Sequence, residues 1–406
     1  MNKYDIAIIG GGAAGIMAAI FAGKSGKNII LIERNDTLGK KLLATGNGRC
    51  NLTNMKANSS HYHGGSPAFI DKVLDKFCAN KTIEYFESLG LMLKEETNGR
   101  IFPKTNSSES VLNVLFEELK NFKVDVIYKS LARGITKNGN FFIKLDNNKI
   151  IEAQKIIMTT GGKAAHQFGS SGDGYYWAEK FGHTIIATYP ALVPIEIKEN
   201  WIKSAQGIKI EGNITLTMKG RVMSQSFGDI LFTHFGLSGP AAMSQGRLIS
   251  ANINLNPKIS LDIFPEIELN ILDDKVKSII STNGKKTIKN CLSGIVPQKL
   301  AEIIIQNKNI NPDKKSAEIS KLDRLNIIKT LKNIELTPTK TRPFKESQVT
   351  SGGINTAEIN PETMESKKTP GLFFAGEIID VDGDSGGYNL QWAWSSGYLA
   401  GISASK

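Results

Sequence analysis

The chain has 406 residues, 40% of them hydrophobic, which is enough for two or three domains around a substantial core. Lysine and arginine number 50 against 39 acids, a net charge of +11 that favours phosphate-bearing partners over basic ones. Three widely separated cysteines, Cys50, Cys78 and Cys291, form no C-x-x-C pair, which excludes a disulfide framework or zinc cluster and suits a reducing cytoplasm.

Residues 5–9 read as a short buried strand, residues 16–24 as an apolar helix and residues 28–32 as a second strand. Between the first two lies G-x-G-x-x-G at Gly10, Gly12 and Gly15, and Glu33 follows the second strand. This is the dinucleotide fingerprint. Gly10 permits the turn, Gly12 lets a pyrophosphate approach the backbone, and Gly15 lets helix and sheet pack closely. The helix start at Ala13 and Ala14 offers free N–H groups to phosphate, and Glu33 can accept from a ribose. The uncharged run 6–23 could pass for a membrane anchor. Its clustered glycines argue against a spanning helix, and no other run approaches spanning length, so a soluble protein is expected.

The following loop concentrates small polar residues with the cations Arg34, Lys40, Lys41 and Arg49. Its stretch Thr45, Gly46, Asn47, Gly48, Arg49, Cys50, Asn51 can wrap a cofactor with backbone N–H groups while the cations neutralise phosphate. An ordinary surface loop is the alternative. Cys50 is a candidate proton donor or redox thiol, and equally a small packing residue.

Residues 66–89 read as two helices with Phe69, Val73, Leu74 and Phe77 on a core stripe, the second closed by Gly90. Residues 91–94 and 100–103 suggest a strand pair, and 107–120 a helix capped by Ser108. Strands are expected at 124–130, 132–137, 141–145, 149–153 and 155–159, the second to fourth forming a meander. Ala132, at one strand start, and Thr160 and Gly161, beyond the last, are further cofactor contacts. The glycine-rich run from Gly169 to Gly174 opens a helix over 175–181 without a preceding strand, so a second nucleotide domain is rejected.

Composition shifts near Pro190. Short strands, notably 213–218 and 221–224, precede lysine- and isoleucine-rich helices over 269–332. Their connecting loop carries His234, a second candidate proton donor that is equally a structural loop histidine. The chain returns to the first domain near Pro338. A strand in 371–377 then leads through Gly376 and Glu377 to Asp380, Asp382 and Asp384, then Gly387, Tyr388, Asn389, Leu390 and Gln391, before a closing helix over 392–403. That helix start is a second positive dipole end facing a ring or phosphate. The three aspartates lack the spacing of a calcium loop, so no metal is expected.

Together these motifs resemble a family of FAD-dependent bacterial oxidoreductases. The family is typified by hypothetical flavoproteins and by an enzyme assigned to bile-acid dehydroxylation. The resemblance runs nearly end to end. It is carried by Gly10 to Gly15 with Glu33, by the run from Thr45 to Asn54, by Thr160-Gly161-Gly162, and by Phe374 to Gln391. It implies an α/β, Rossmann-like FAD-binding domain of glutathione-reductase type, with an inserted mixed β-barrel and helical domain. The expected division is 1–190 and 338–406 for FAD, with 191–337 inserted as a substrate or lid domain. It also implies that Cys50 lies near the isoalloxazine. Members are linked to reduction of a steroid C=C bond and to formation of dihydrouridine in ribosomal RNA. The expected activity is therefore reduction of an activated C=C bond, with NAD(P)H as transient reductant and ribosomal RNA or a small molecule as substrate. A small-molecule steroid or amine oxidoreductase, and a non-catalytic FAD-binding interaction protein, are the alternatives.

Overall fold

Strand Asn2–Ile9 is apolar on both sides where it is buried, as a central parallel strand must be. In the computed structural model, which describes residues 2–406, it pairs in parallel with Ile29–Ile32 on one side and Ile150–Met158 on the other. Asp125–Ile127 adds in parallel beyond Ile29–Ile32. Leu372–Phe374 pairs in parallel with the end of Ile150–Met158. The start of that strand pairs antiparallel with Asn140–Leu145, which in turn pairs with Ala132–Asn138. The meander forms as expected, but residues 150–158 are one continuous strand where two were expected. Its polar pair Gln154 and Lys155 is not a break: Lys155 donates to the Ala404 carbonyl at 2.8 Å.

The first helix, Ala13–Gly23, crosses from the strand Asn2–Ile9 to Ile29–Ile32. A Cβ on Gly15 would lie 1.9 Å from the Gly10 carbonyl oxygen, so only glycine allows this turn. The closing helix, Tyr388–Ala404, lies against the first. Cβ atoms on its Gly397 and Gly401 would lie 2.4 and 2.5 Å from the carbonyl oxygens of Ala14 and Ala18. These two contacts advance together along both sequences, so the helices run parallel with backbones almost touching. The helix at 107–120 appears as Ser108–Asn121, capped by Ser107 and not Ser108. The Ser108 hydroxyl instead donates to the Leu43 carbonyl.

The chain divides into two units: residues up to Tyr189 with Ser347–Lys406, and Pro190–Glu346. The second unit has its own core and a seven-stranded sheet. Its hairpin strands, Lys209–Met218 and Arg221–Phe232, run longer than the 213–218 and 221–224 expected. The strands at the two ends of its pairing order, Ile334–Leu336 and Pro338–Thr341, are joined by Thr337 alone, so the sheet curls into a barrel. Pro338 therefore begins a strand paired with Ile195–Ile197, and the return to the first unit falls at Ser347. A proline at the first position of a strand loses no interior ladder bond. Helices Pro240–Asn252, Leu269–Thr282, Ile288–Leu292, Gln298–Asn307 and Lys321–Lys332 complete this unit.

Candidate functional site

The G-x-G-x-x-G loop delivers Gly12 as the N-cap of the first helix, with no side chain capping it and no acid in the first turn. A Cβ on Gly12 would meet nothing within 4 Å, so the space beside it is open. The first-turn N–H groups, including those of Ala13 and Ala14, and the positive dipole end face that space. The closing helix repeats the arrangement. Its N-cap Gly387, at φ 102°, carries no side-chain cap and is followed by no acid in the first turn. Because Gly397 lies against Ala14, this second helix start sits about 12 Å farther along the shared axis, at 1.5 Å per residue.

Glu33 is buried, its Oε2 accepting from Gly11 N and its Oε1 from Asn35 N, both at 2.7 Å. Ala132 is brought towards it, because Ser130 N donates to the Glu33 carbonyl. Each of the four loop cations is paired with an acid. Arg34 pairs with Asp173 and donates to the Gly169 carbonyl at 3.0 Å. Lys40 pairs with Asp36 at 2.8 Å, and Lys41 pairs with Glu377. Arg49 pairs with Glu96, donates to Asn106 and lies over the Phe102 ring. Asp36 lies four residues before Lys40 in the same loop, whereas Asp173, Glu377 and Glu96 come from elsewhere in the chain, where sequence spacing cannot show them. The uncapped helix ends, by contrast, carry N–H groups that no side chain caps.

The turn from Thr45 has Gly46 at φ 57° and Asn47 at 56°, two successive left-handed residues. Thr45 Oγ1 donates to the Leu42 carbonyl. Cys50 is fully enclosed in the hydrophobic core, and burial pushes its thiol up to about 12. A thiol so held stays neutral and unreactive at ordinary pH. Enclosure in the core favours the packing reading of Cys50 over the proton-donor reading. His234 is exposed in the second unit, in the turn between Arg221–Phe232 and Gly236–Ser238.

Near the second helix start, Asn51 Oδ1 is buried without a hydrogen-bond partner. So are Thr160 Oγ1, at the end of the central strand, and Tyr175 OH. Gly161 and Gly376 take φ 72° and 79°. Glu377 accepts from Thr350 N at 2.9 Å as well as from Lys41. Asn389 and Gln391 spend their side chains inside the protein. Asn389 bonds both polar atoms of Gly383, while Gln391 bonds Thr82, the Phe77 carbonyl and Ser395. Those two residues, with partly buried Leu390, offer only backbone at the helix start.

Sequence reasoning gives His61, His63 and Tyr175 no role here and weighs Asp380 and Asp384 only as calcium ligands. His61 Nδ1 and His63 Nε2 lie 3.2 and 3.0 Å from the two oxygens of Asp384. The His61 ring stacks on Tyr388, the first residue of the closing helix, at 4.5 Å. Burial pushes the Asp384 carboxyl up, but the two histidines outweigh it and hold it below its usual range. Asp380 moves the other way: burial and the neighbouring charge of buried Asp382 raise it to about 6. The Tyr175 hydroxyl senses both Glu377 and Asp380. Strand Tyr62–Gly64 pairs with Val381–Gly383 and creates this cluster. The alternation of His61 and His63 about Tyr62 was the available signal.

The chemistry of these donors fits FAD. Two in-line helix starts suit a pyrophosphate and the far end of the ring system, and the partnerless buried oxygens and the open space at Gly12 suit a long polar ligand. Among the described residues no cluster could hold a metal ion, and no helix is long and apolar enough to cross a membrane.

Fold and site together define a Rossmann-type flavoprotein oxidoreductase. The chain belongs to the HI0933-like protein Rossmann domain family, which matches residues 4–403. It is 35% identical over 410 residues to the 3-dehydro-bile acid delta(4,6)-reductase of Clostridium scindens, covering 100% of both chains. It is 31% identical over 401 residues to the ribosomal RNA dihydrouridine synthase of Escherichia coli, covering 98% of this chain and 97% of that one. Among solved structures, 3-ketosteroid delta1-dehydrogenase from Sterolibacterium denitrificans shares the fold with TM-score 0.54, 14% identity and 100% coverage of both chains.

Proposed function

We propose that this protein is a cytoplasmic FAD-dependent reductase of an activated C=C bond, reduced by NADH or NADPH, with uridine in ribosomal RNA as its substrate. The carrying observation is the pair of parallel, uncapped helix starts at Gly12 and Gly387. In this reading Gly10, Gly12, Ala13, Ala14 and Gly15 seat the pyrophosphate, Glu33 holds the adenosine ribose, and Ala132 borders the adenine. The run Thr45 to Asn51, with Thr160, Gly161, Gly376, Glu377 and Asp382, lines the ribityl and ring portion. Gly387 and Tyr388, with the backbone of Asn389, Leu390 and Gln391, face the end of the ring. FAD, when bound, supplies the hydride. The first unit is the cofactor domain and the second the substrate domain.

The chain's own task is to position the alkene and supply a proton on the face opposite the hydride. His63, with Nε2 held by ionised Asp384 beside Tyr388, is the proton-handling group in place of Cys50. An imidazole held by a carboxylate keeps a defined orientation, which is what a positioned proton-transfer group needs. His234 has no part in this reading.

The relative named for ribosomal RNA and the +11 charge support RNA. The 35% relative, named for a bile-acid substrate, supports a steroid-like enone as the second reading. Deleting the gene and quantifying ribosomal-RNA nucleosides by mass spectrometry tests the first. Loss of dihydrouridine is expected, and an unchanged level removes uridine as substrate. Anaerobic bleaching of the bound flavin by NADH or NADPH tests the reductant.

A further inference from the structure

The positive charge is not evenly spread. Residues 269–332, the helical part of the second unit, hold 13 lysines and arginines against 6 acids, and so carry +7 of the chain's +11. This stretch contains no aromatic residue and no histidine. Arg324 and Lys289 are tied to acids, but among the described residues Lys285, Lys286, Lys314 and Lys315 make no ion pair.

Those four lysines are held together by backbone. Ile288 N donates to the Lys314 carbonyl and Ser316 N to the Lys286 carbonyl, both at 2.9 Å, and Thr287 and Lys315 form an antiparallel bridge. The two segments border a cleft lined by Asn283, Gly284, Lys285, Lys286, Lys315 and Ala317. Lys285, Lys286 and Lys315 are exposed. The adjoining end of helix Leu269–Thr282 would oppose an anion through its free carbonyls. It is covered: Asn283 Nδ2 donates to the Ile279 carbonyl and Ser316 Oγ to the Asn283 carbonyl, each at 2.9 Å. The lysines therefore set the sign of the cleft.

We propose that this lobe docks the phosphate backbone of folded RNA, with Lys285, Lys286 and Lys315 as its contact points. The choice of RNA rests on the substrate reading above; the site does not. Lysines without aromatic neighbours meet phosphates as point charges and cannot stack on splayed bases, so the docking is indifferent to sequence. A lipid surface fits less well. The exposed apolar side chains of this lobe, Leu269, Ile271 and Leu322, lie in the first turns of helices Leu269–Thr282 and Lys321–Lys332. Leu269 and Ile271 lie about 20 Å of helix away from Asn283 at the cleft, with Asp273 and Asp274 in the next turn, and Leu322 stands alone beside Asp323.

The test compares full-length, FAD-loaded wild type with Lys285→Glu/Lys286→Glu/Lys315→Glu, using a folded ribosomal-RNA fragment and vesicles containing phosphatidylglycerol as probes. Removing three phosphate contacts lowers the slope of log Kobs against log salt by about 2–3 and weakens RNA binding at least about tenfold at ~0.1 M salt. The visible flavin spectrum stays unchanged, which reports an intact first unit. The neutral variant Lys286→Gln gives about one third of the slope change, separating contact loss from misfolding. Wild-type RNA binding that the triple variant retains overturns the lobe and leaves the RNA substrate standing. Absent wild-type RNA binding overturns the proposal, as does loss of vesicle binding with RNA binding kept. Slope loss in the variant, together with unchanged cellular dihydrouridine after gene deletion, upholds the docking surface and removes uridine as substrate.

Discussion

Gly12 and Gly15 belong to one motif but sit in opposite surroundings, and this separates cofactor binding from folding. A Cβ on Gly12 would touch nothing within 4 Å, and its φ of −80° suits any residue. Gly12→Ala therefore costs at most about 1 kcal/mol of folding stability, the difference between glycine and alanine at an N-cap. The same methyl enters the space assigned to the pyrophosphate. An overpacked contact costs about 1–3 kcal/mol, which weakens FAD binding by roughly 5- to 150-fold. Gly15→Ala instead drives a Cβ to 1.9 Å from the Gly10 carbonyl and 2.7 Å from Thr159 Oγ1. Backbone must move, so the fold itself loses about 1–3 kcal/mol or more. Urea unfolding of the apoproteins and fluorescence titration with FAD measure the two effects. Gly12→Ala that folds and binds FAD like wild type would refute the assignment of this helix start to phosphate.

Other expectations follow from the titrating groups. Cys50 resists iodoacetamide at pH 8 in the native protein and reacts only after unfolding; rapid native labelling would show that the thiol is neither enclosed nor held near 12. Cys50→Ala lowers stability by about 1 kcal/mol but keeps turnover within a few-fold. Asp380, raised from 3.8 to about 6, contributes stability that is complete below pH 3.8 and lost as pH rises through 6. That rise sets an upper bound of about 3 kcal/mol. Asp380→Asn should flatten apoprotein stability across that window, and an unchanged pH profile would contradict the burial argument. Asp384→Asn removes the shared partner of His61 and His63; it should shift the pH–rate profile and lower kcat more than KM, and an unmoved profile would exclude the pair from proton handling.

Local signals carried much of this architecture. The strand, glycine turn, helix and acid of residues 5–33 are all determined within one βαβ unit, where sequence periodicity and close packing agree. The chain-closing helix was equally plain, although it begins at Tyr388, earlier than the 392 expected, because Gly387 caps it. What stayed hidden depends on partners far off in sequence. Lys41 and Glu377 are 336 residues apart, and His63 and Asp384 are 321 apart. No local pattern reveals that a loop cation is already neutralised, or that two histidines share a carboxylate. Pro338 looked like a domain boundary because proline usually interrupts pairing, whereas here it opens the strand that closes the barrel.

The touching glycines of the two long helices also impose an order of events during synthesis. Pro190–Glu346 is contiguous and can collapse while the ribosome is still translating. The first sheet must wait, because its packing partner occupies residues 388–404, made long after the strands it covers. Removing even two turns of that helix should therefore injure the first βαβ unit, and coenzyme loading becomes an event that waits for residues 388–404 to be made.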